Sequence, residues 1–507
     1  MRIKNTIKNS IYALFSYSII CVLTIIVRKV FVISLPYEYL GYEGLFSNLF
    51  AFFSLADLGI ESIIVYRLYK AVAENNEQGI KLIINIYRFI YKNVFIFVLV
   101  CGIFIIPFLP YLIKQLTIDI GYLITIYLLQ LILSSSSYLF SYKKIVYVAY
   151  QNEYKCQLIE LISFVISCFF KLYFLFAINS YVLYLLTGIV NILISNYVIF
   201  RKVNVDYPYL KNKEKISFSV LKTLGIFKDL KQCAIQKVCG VIYGATDNLI
   251  ASVMIGIQSV ALLSNYILIS GFITTALEKI MHPFQSAVGN LIYSQENKSF
   301  DMFLMFDRFS FYIGIVVSSI YYCSLNPLII VWLGNSFVLS QPFLLFFALN
   351  QFIMWNHKFL VYYRGSFGSY NLDNSFIVLG AILNLFVSII LSHSMGVAGL
   401  MLGTLLGHLG FWIGRVHAVF KVLFCGRLTD YIRSQLTKLP IAVFSLFVCS
   451  YLVENIENSL FGVLLIVFIS FFTSSVIWLL VSFPFKETTL LFKYLKRSLN
   501  IIFKFEV

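Results

Sequence analysis

A chain of 507 residues that is 60% hydrophobic, 18% aromatic and 12% charged is too apolar for a soluble globular domain. Its formal net charge of +16 would suggest nucleic acid in a soluble protein. In a membrane protein, cytoplasmic loops collect Lys and Arg, so no nucleic-acid partner is expected.

A helix needs roughly 20 apolar residues to cross the hydrocarbon core, and about fourteen such runs recur along the chain. They cover about 11–35, 41–66, 90–113, 118–140, 156–178, 180–200, 231–255, 258–290, 303–333, 342–362, 374–394, 396–420, 437–455 and 460–483. Backbone polar groups cannot go unpaired in lipid, so these runs are helices, and the short alternating segments of a β-barrel do not occur. The first run follows the basic start Arg2-Ile3-Lys4 but has no small-residue cleavage site, and is expected to be a retained span. Between the second and third runs, Glu74 to Arg88 mixes charges with Ile80, Ile83 and Ile84, as either an interfacial amphipathic helix or a solvated connector.

Cations fall on alternate links. One side receives Arg2, Lys4 and Lys8, then Arg67 to Lys92, Lys143 to Lys155, and Arg201 to Lys228. Lys298, Arg364, Arg427, Arg433 and the basic tail from Lys486 to Arg497 follow on the same side. The opposite links are short and nearly free of cations, so both termini are expected to be cytoplasmic. The nine cysteines are scattered without a C-x-x-C pair and are expected to be small packed residues.

An internal echo suggests a repeat. Gly44-Leu45-Phe46-Ser47-Asn48 opens the second run and Ala261-Leu262-Leu263-Ser264-Asn265 opens the eighth, each after a short turn with a glycine nearby. The fold expected is an all-α polytopic membrane protein of about fourteen transmembrane helices, in two pseudo-symmetric six-helix lobes plus two C-terminal helices. The N-lobe spans 1–205 and a basic cytoplasmic linker 206–230. The C-lobe spans 231–421, a second linker 422–436, and helices thirteen and fourteen with the basic tail 437–507.

Ionisable residues inside spans are costly and face protein or a water-filled cavity. Arg28 and Lys29 lie about two-thirds along the first run. Lys29 can snorkel to the interface, whereas the Arg28 guanidinium suits bidentate binding of phosphate oxygens. Asp57 and Glu61, four residues apart, are expected on one helical face, and either pair with neighbouring cations or carry a coupling ion, H+ or Na+. Asp247, beside Gly244, Ala245 and Asn248, is either an ion site or a salt-bridge partner for Arg28. Ser47, Asn48, Asn248, Ser264 and Asn265 are the expected polar lining of a cavity. Near the eleventh and twelfth runs, Gly399, Gly403 and Gly407 at four-residue spacing make a close-packing face, with His393, His408 and His417 at helix junctions. Walker A, H-E-x-x-H, G-x-S-x-G and dinucleotide sequences are absent, and neither an enzyme nor a cofactor or metal is expected.

The stretches Tyr39-Leu40-Gly41-Tyr42-Glu43-Gly44-Leu45-Phe46, Leu55-Ala56-Asp57-Leu58-Gly59-Ile60 and Tyr66-Arg67-Leu68-Tyr69-Lys70 resemble the N-terminal region of Wzx-type polysaccharide flippases. The resemblance continues through Thr246-Asp247-Asn248-Leu249-Ile250, Ser264-Asn265-Tyr266, Gly289-Asn290-Leu291, Trp332-Leu333-Gly334 and Gly396-Val397-Ala398-Gly399-Leu400. It implies membership of the multidrug/oligosaccharidyl-lipid/polysaccharide (MOP) exporter superfamily, a MATE-like pair of lobes, and alternating access in the bacterial cytoplasmic (inner) membrane. It also implies an undecaprenyl-diphosphate-linked oligosaccharide as cargo, membrane lipid as surroundings, and a polysaccharide polymerase and chain-length regulator as partners, for a surface polymer such as O-antigen or capsule. Arg28 matches a position where relatives often carry arginine, which implies a pyrophosphate contact; Asp57 stands where they often carry a carboxylate, usually Glu. The rivals are a drug or metabolite exporter of the same superfamily, a sugar-chain polymerase, and a structural scaffold.

Overall fold

The computed structural model describes residues 2–57, 60–114, 116–211, 226–293, 299–366 and 372–494. Among them the regular structure is entirely helical, as apolar runs with no water to satisfy their backbones require. The chain falls into two compact units, Met1–Ser264 and Asn265–Val507. Among the described residues twelve helices are long and apolar enough to cross a membrane.

The first unit begins with α1 (Arg2–Ser34), α2 (Glu38–Phe53), α3 (Ile60–Ala73) and α4 (Glu77–Ile105). It continues with α5 (Ile120–Ser136), α6 (Lys144–Ala149), α7 (Tyr154–Tyr173), α8 (Tyr181–Asp206) and α9 (Ile226–Ile250). Helix α10 (Ile257–Tyr293) carries the chain into the second unit. That unit holds α11 (Ser299–Leu333), α12 (Gln341–Asn356), α13 (Lys358–Ser366), α14 (Asn374–Met395), α15 (Val397–Val422), α16 (Leu428–Val453) and α17 (Leu460–Ser482).

Two of the fourteen expected spans are broken helices. The run 41–66 divides: α2 has 16 residues, a 3₁₀ turn covers Ser54–Asp57, and α3 starts at Ile60. The Ser54 hydroxyl donates to the Ala51 carbonyl at 2.7 Å, one of the local side-chain bonds that compete with helix continuation. The run 342–362 divides at His357, which follows the 16-residue α12 and whose Nδ1 lies 2.9 Å from the Ile353 carbonyl. A helix of this length reaches only about 24 Å, short of the roughly 30 Å hydrocarbon core.

Glu74 to Arg88 forms no separate interfacial helix. Asn76 caps the start of α4, its side chain accepting from the Gly79 N–H at 2.8 Å, and Ile80, Ile84 and Tyr87 are buried in the first turns of that long helix. Both α7 and α9 end in a π turn, Phe174–Ile178 and Ala251–Ile255, before Asn179 and Gly256 at positive φ. None of the eight described cysteines forms a disulfide.

The glycine face expected near the eleventh and twelfth spans is present, and it joins α14 to α15. A Cβ on Gly399 would stand 2.2 Å from the Leu391 carbonyl oxygen, and one on Gly403 would stand 2.2 Å from the Ser388 hydroxyl. Gly407 offers its carbonyl to Gly380 at a Cβ distance of 2.9 Å, so the two backbones touch along the seam. Gly244 behaves differently: a Cβ there would meet nothing within 4 Å, and it marks no close helix approach.

Candidate functional site

In the first unit α1 and α7 lie side by side and run in the same direction. At their N-terminal ends the Lys8 ammonium sits 3.8 Å from the centroid of the Tyr154 ring, the Asn9 amide donates to the Gln151 carbonyl at 3.0 Å, and the Tyr154 N–H donates to the Asn9 Oδ1 at 3.0 Å. Near their C-terminal ends Phe31 meets Tyr181 and Tyr184 edge-on, with centroids at 5.6 and 5.2 Å. Counted from that N-terminal register, Arg28 follows Asn9 by about as many residues as Lys171 follows Tyr154, which brings the two cations to about the same level, Lys171 in the last turn of α7.

Arg28 Nη1 stands 3.9 Å from Glu43 Oε2 on α2. That is an ion pair but too long for a hydrogen bond, and the buried Glu43 Oε2 has no hydrogen-bond partner. The Lys171 ammonium rests over the Tyr184 ring, 4.5 Å from its centroid, and reaches within 4.0 Å of where a Cβ on Gly188 would stand. Glu43 is also the carboxylate whose charge Lys171 feels. Behind this group Tyr39 stacks on Tyr181 at 4.8 Å, and Gln130 Nε2 donates to the Tyr181 hydroxyl at 2.7 Å. Two cations thus face one carboxylate against a wall of tyrosines, an arrangement that can accept an anion.

None of the contacts just described involves the other expected site residues. Asp57 ends the 3₁₀ turn and its side chain, with residues 58–59, falls outside the described residues. Because the α-helix does not run through it, the spacing of four does not set Asp57 and Glu61 on one helical face; Glu61 is exposed in the first turn of α3. Asn248 is buried and its amide donates to the Gly44 carbonyl at 3.3 Å, joining α9 to α2. Ser47 is exposed and Asn48 half-buried on α2, while Asp247 is half-buried on α9. Ser264 donates to the Ala261 carbonyl at 2.8 Å, and Asn265 is fully buried. For Arg28 the sequence suggests Asp247 as a partner; the ion pair it makes is with Glu43.

The second unit contains a polar cluster that the sequence does not single out. Lys438 of α16 is fully buried and donates to Asp307 of α11, and Gln435 Nε2 donates to both Asp307 oxygens at 3.0 and 3.2 Å. Asn356 passes the network on to Gln435 at 3.0 Å. Arg364 and Asp373 form a second buried pair, through bonds of 2.7 and 2.5 Å. His408 faces Asn350 at 3.2 Å, His417 packs on Phe376, and His393 is exposed at the end of α14. No group of His, Cys, Asp and Glu able to hold a metal occurs among the described residues.

The chain is similar to the lipid II flippase MurJ, solved in an inward closed conformation, with a TM-score of 0.62, 15% identity, and coverage of 94% of this chain and 99% of that one. The fold is that of the MOP-superfamily transporters. An inward-facing multidrug resistance MATE transporter of the MOP superfamily matches with a TM-score of 0.58 at 13% identity, over 82% of this chain and 99% of that chain. A MATE transporter of Vibrio cholerae, VcmN, matches with a TM-score of 0.58 at 13% identity, over 84% and 98%. No family model and no curated protein sequence matches the chain. The twelve apolar helices among the described residues are those of a multi-pass membrane protein, and the solved structures named above are of transporters and a flippase.

Proposed function

We propose that this protein is a flippase that moves undecaprenyl-diphosphate-linked oligosaccharide repeat units from the cytoplasmic to the outer leaflet for surface polysaccharide biosynthesis. The observation that carries the reading is Arg28. It is an arginine deep in an apolar helix whose carboxylate neighbour stands 3.9 Å away, so its fork of donors is not engaged in a bidentate pair. A diphosphate headgroup needs such donors, while its polyprenyl tail can stay in lipid. The MOP fold supports alternating access, in which the headgroup is exposed to one side at a time. A gradient of H+ or Na+ supplies the drive, and a polymerase with its chain-length regulator consumes the product. Both termini face the cytoplasm of a bacterial inner membrane, on the side that collects Lys and Arg.

The test is reconstitution in liposomes with a labelled undecaprenyl-diphosphate oligosaccharide, scoring its exposure to a membrane-impermeant probe. Wild type is expected to move it, and Arg28→Ala to reduce the rate roughly ten- to hundredfold, the equivalent of about 1.5–3 kcal/mol for a charge-assisted hydrogen bond. If the lipid is never moved under any ion gradient while cationic drugs are, the protein is a MATE-like exporter instead.

A further inference from the structure

The cation Lys171 has no role in the reading above, and its surroundings give it one. It lies within an apolar run, Phe169-Phe170-Lys171-Leu172, at the level of Arg28. A lone ammonium there is costly unless something compensates it. Among the described residues no carboxylate comes within ion-pair distance of it; its close contact is the Tyr184 face at 4.5 Å, and the carboxylate whose charge reaches it is Glu43, which Arg28 shares. Two cations and one carboxylate leave a surplus of one positive charge. The carboxylate meanwhile wastes a buried oxygen, Oε2, which has no hydrogen-bond partner although a guanidinium stands 3.9 Å away. A structural salt bridge would close that gap, as the buried Arg364 and Asp373 do at 2.5 and 2.7 Å.

We infer that Arg28 and Lys171 form one anion site for a diphosphate group, and that Glu43 is its resident counter-ion, displaced when the diphosphate enters and restored when it leaves. The inference deepens the flippase reading and rests on it for the lipid-linked form of the ligand. The phosphate oxygens accept from the guanidinium fork on one side and from the ammonium on the other. Tyr184 orients Lys171, and the missing side chain at Gly188 leaves room for its ammonium. The exchange explains why a flippase would keep an acid beside its phosphate site: without Glu43, release of the headgroup would leave two uncompensated cations in a poorly hydrated place, and the ligand would be held too tightly to turn over.

Binding of inorganic pyrophosphate to the full-length protein in nanodiscs is measured by calorimetry, and translocation of the labelled lipid-linked oligosaccharide in liposomes. Lys171→Gln is expected to weaken pyrophosphate binding by about tenfold or more, Lys171→Arg to retain it, and Glu43→Gln to tighten it while slowing translocation. Binding unchanged within about twofold in Lys171→Gln, or weaker binding in Glu43→Gln, overturns the inference. Glu43→Gln keeps the question open to test if Lys171→Gln does not fold, because its effect has the opposite sign. Pyrophosphate binding that depends on Lys171 in a protein that moves no lipid-linked sugar supports the site and defeats the flippase reading. Translocation that needs Arg28 and ignores Lys171 does the reverse.

Discussion

Arg364 and Arg427 each face an aspartate, and burial decides what the two pairs are worth. Arg364 grips Asp373 through two bonds with side chains only 4% and 1% exposed, whereas Arg427 reaches Asp430 at 3.4 Å with 62% and 56% exposure. Removing one partner of a buried pair strands the other charge and costs about 3–5 kcal/mol, while an exposed pair contributes at most about 1 kcal/mol. Arg364→Met is therefore expected to lower the thermal midpoint of the purified protein markedly, and adding Asp373→Leu to restore most of it. Arg427→Gln should leave the midpoint within a degree or two, since surface changes stay within about 0.5 kcal/mol. Thermal denaturation in detergent, followed by intrinsic fluorescence, measures all three; equal effects of the two arginines would contradict the assignment.

Helix pairing sets a different constraint, seen most clearly where α15 meets α14. A Cβ at Gly403 would approach the Ser388 hydroxyl to 2.2 Å and the Ser388 backbone nitrogen to 2.7 Å, and backbone cannot step aside as a side-chain tip can. Gly403→Ala is expected to cost about 1–3 kcal/mol, the usual penalty for overpacking, and Gly403→Leu to prevent recovery of folded protein. Gly244→Ala is the control: with nothing within 4 Å and a helix former replacing glycine in α9, it should be neutral or slightly stabilising. This seam was legible in the sequence because spacing by four places Gly399, Gly403 and Gly407 on one face whatever lies opposite. The spans were legible for the same reason, since length and hydropathy are properties of one segment alone. The breaks after Phe53 and Asn356 were not, because the few polar residues at each, Ser54 to Asp57 and Asn356 to Lys358, are tolerated inside spans as readily as at their ends, and mean hydropathy over a whole run does not register them. Of the candidate site, Arg28 was visible as a charge in an apolar run. Lys171 satisfied the same criterion, but its meaning lies in Tyr184 and Glu43, on helices that only folding brings together.

The sequence places the last two helices after a pair of six-helix lobes, and within the second unit they pack closely on α11. Helix α11 is bound to α16 through Asp307, Gln435 and Lys438 and through Ser319 and Ser445 at 3.1 Å, and to α17 through Tyr312 and Ser475 at 3.1 Å. An apolar cluster of Cys323, Cys449, Val453 and Ile466 fills the space between the same three helices. Lys438 is fully buried and Asp307 nearly so, so ending the chain at Arg427 would remove the lysine and the glutamine together and leave the aspartate with neither. The point variant Lys438→Met isolates the charge term, and about 3–5 kcal/mol of destabilisation is expected from it alone. Adding Asp307→Asn removes the stranded charge and keeps an acceptor for Gln435, so that double variant should recover most of the loss. The truncated chain, which also exposes the Cys323 face, should not yield a monodisperse peak in size-exclusion chromatography, with or without Asp307→Asn. If truncation instead gives a well-behaved protein of unchanged thermal midpoint, α16 and α17 are separable from the unit. If it fails while Lys438→Met alone is harmless, apolar packing rather than the ion pair holds these helices in place.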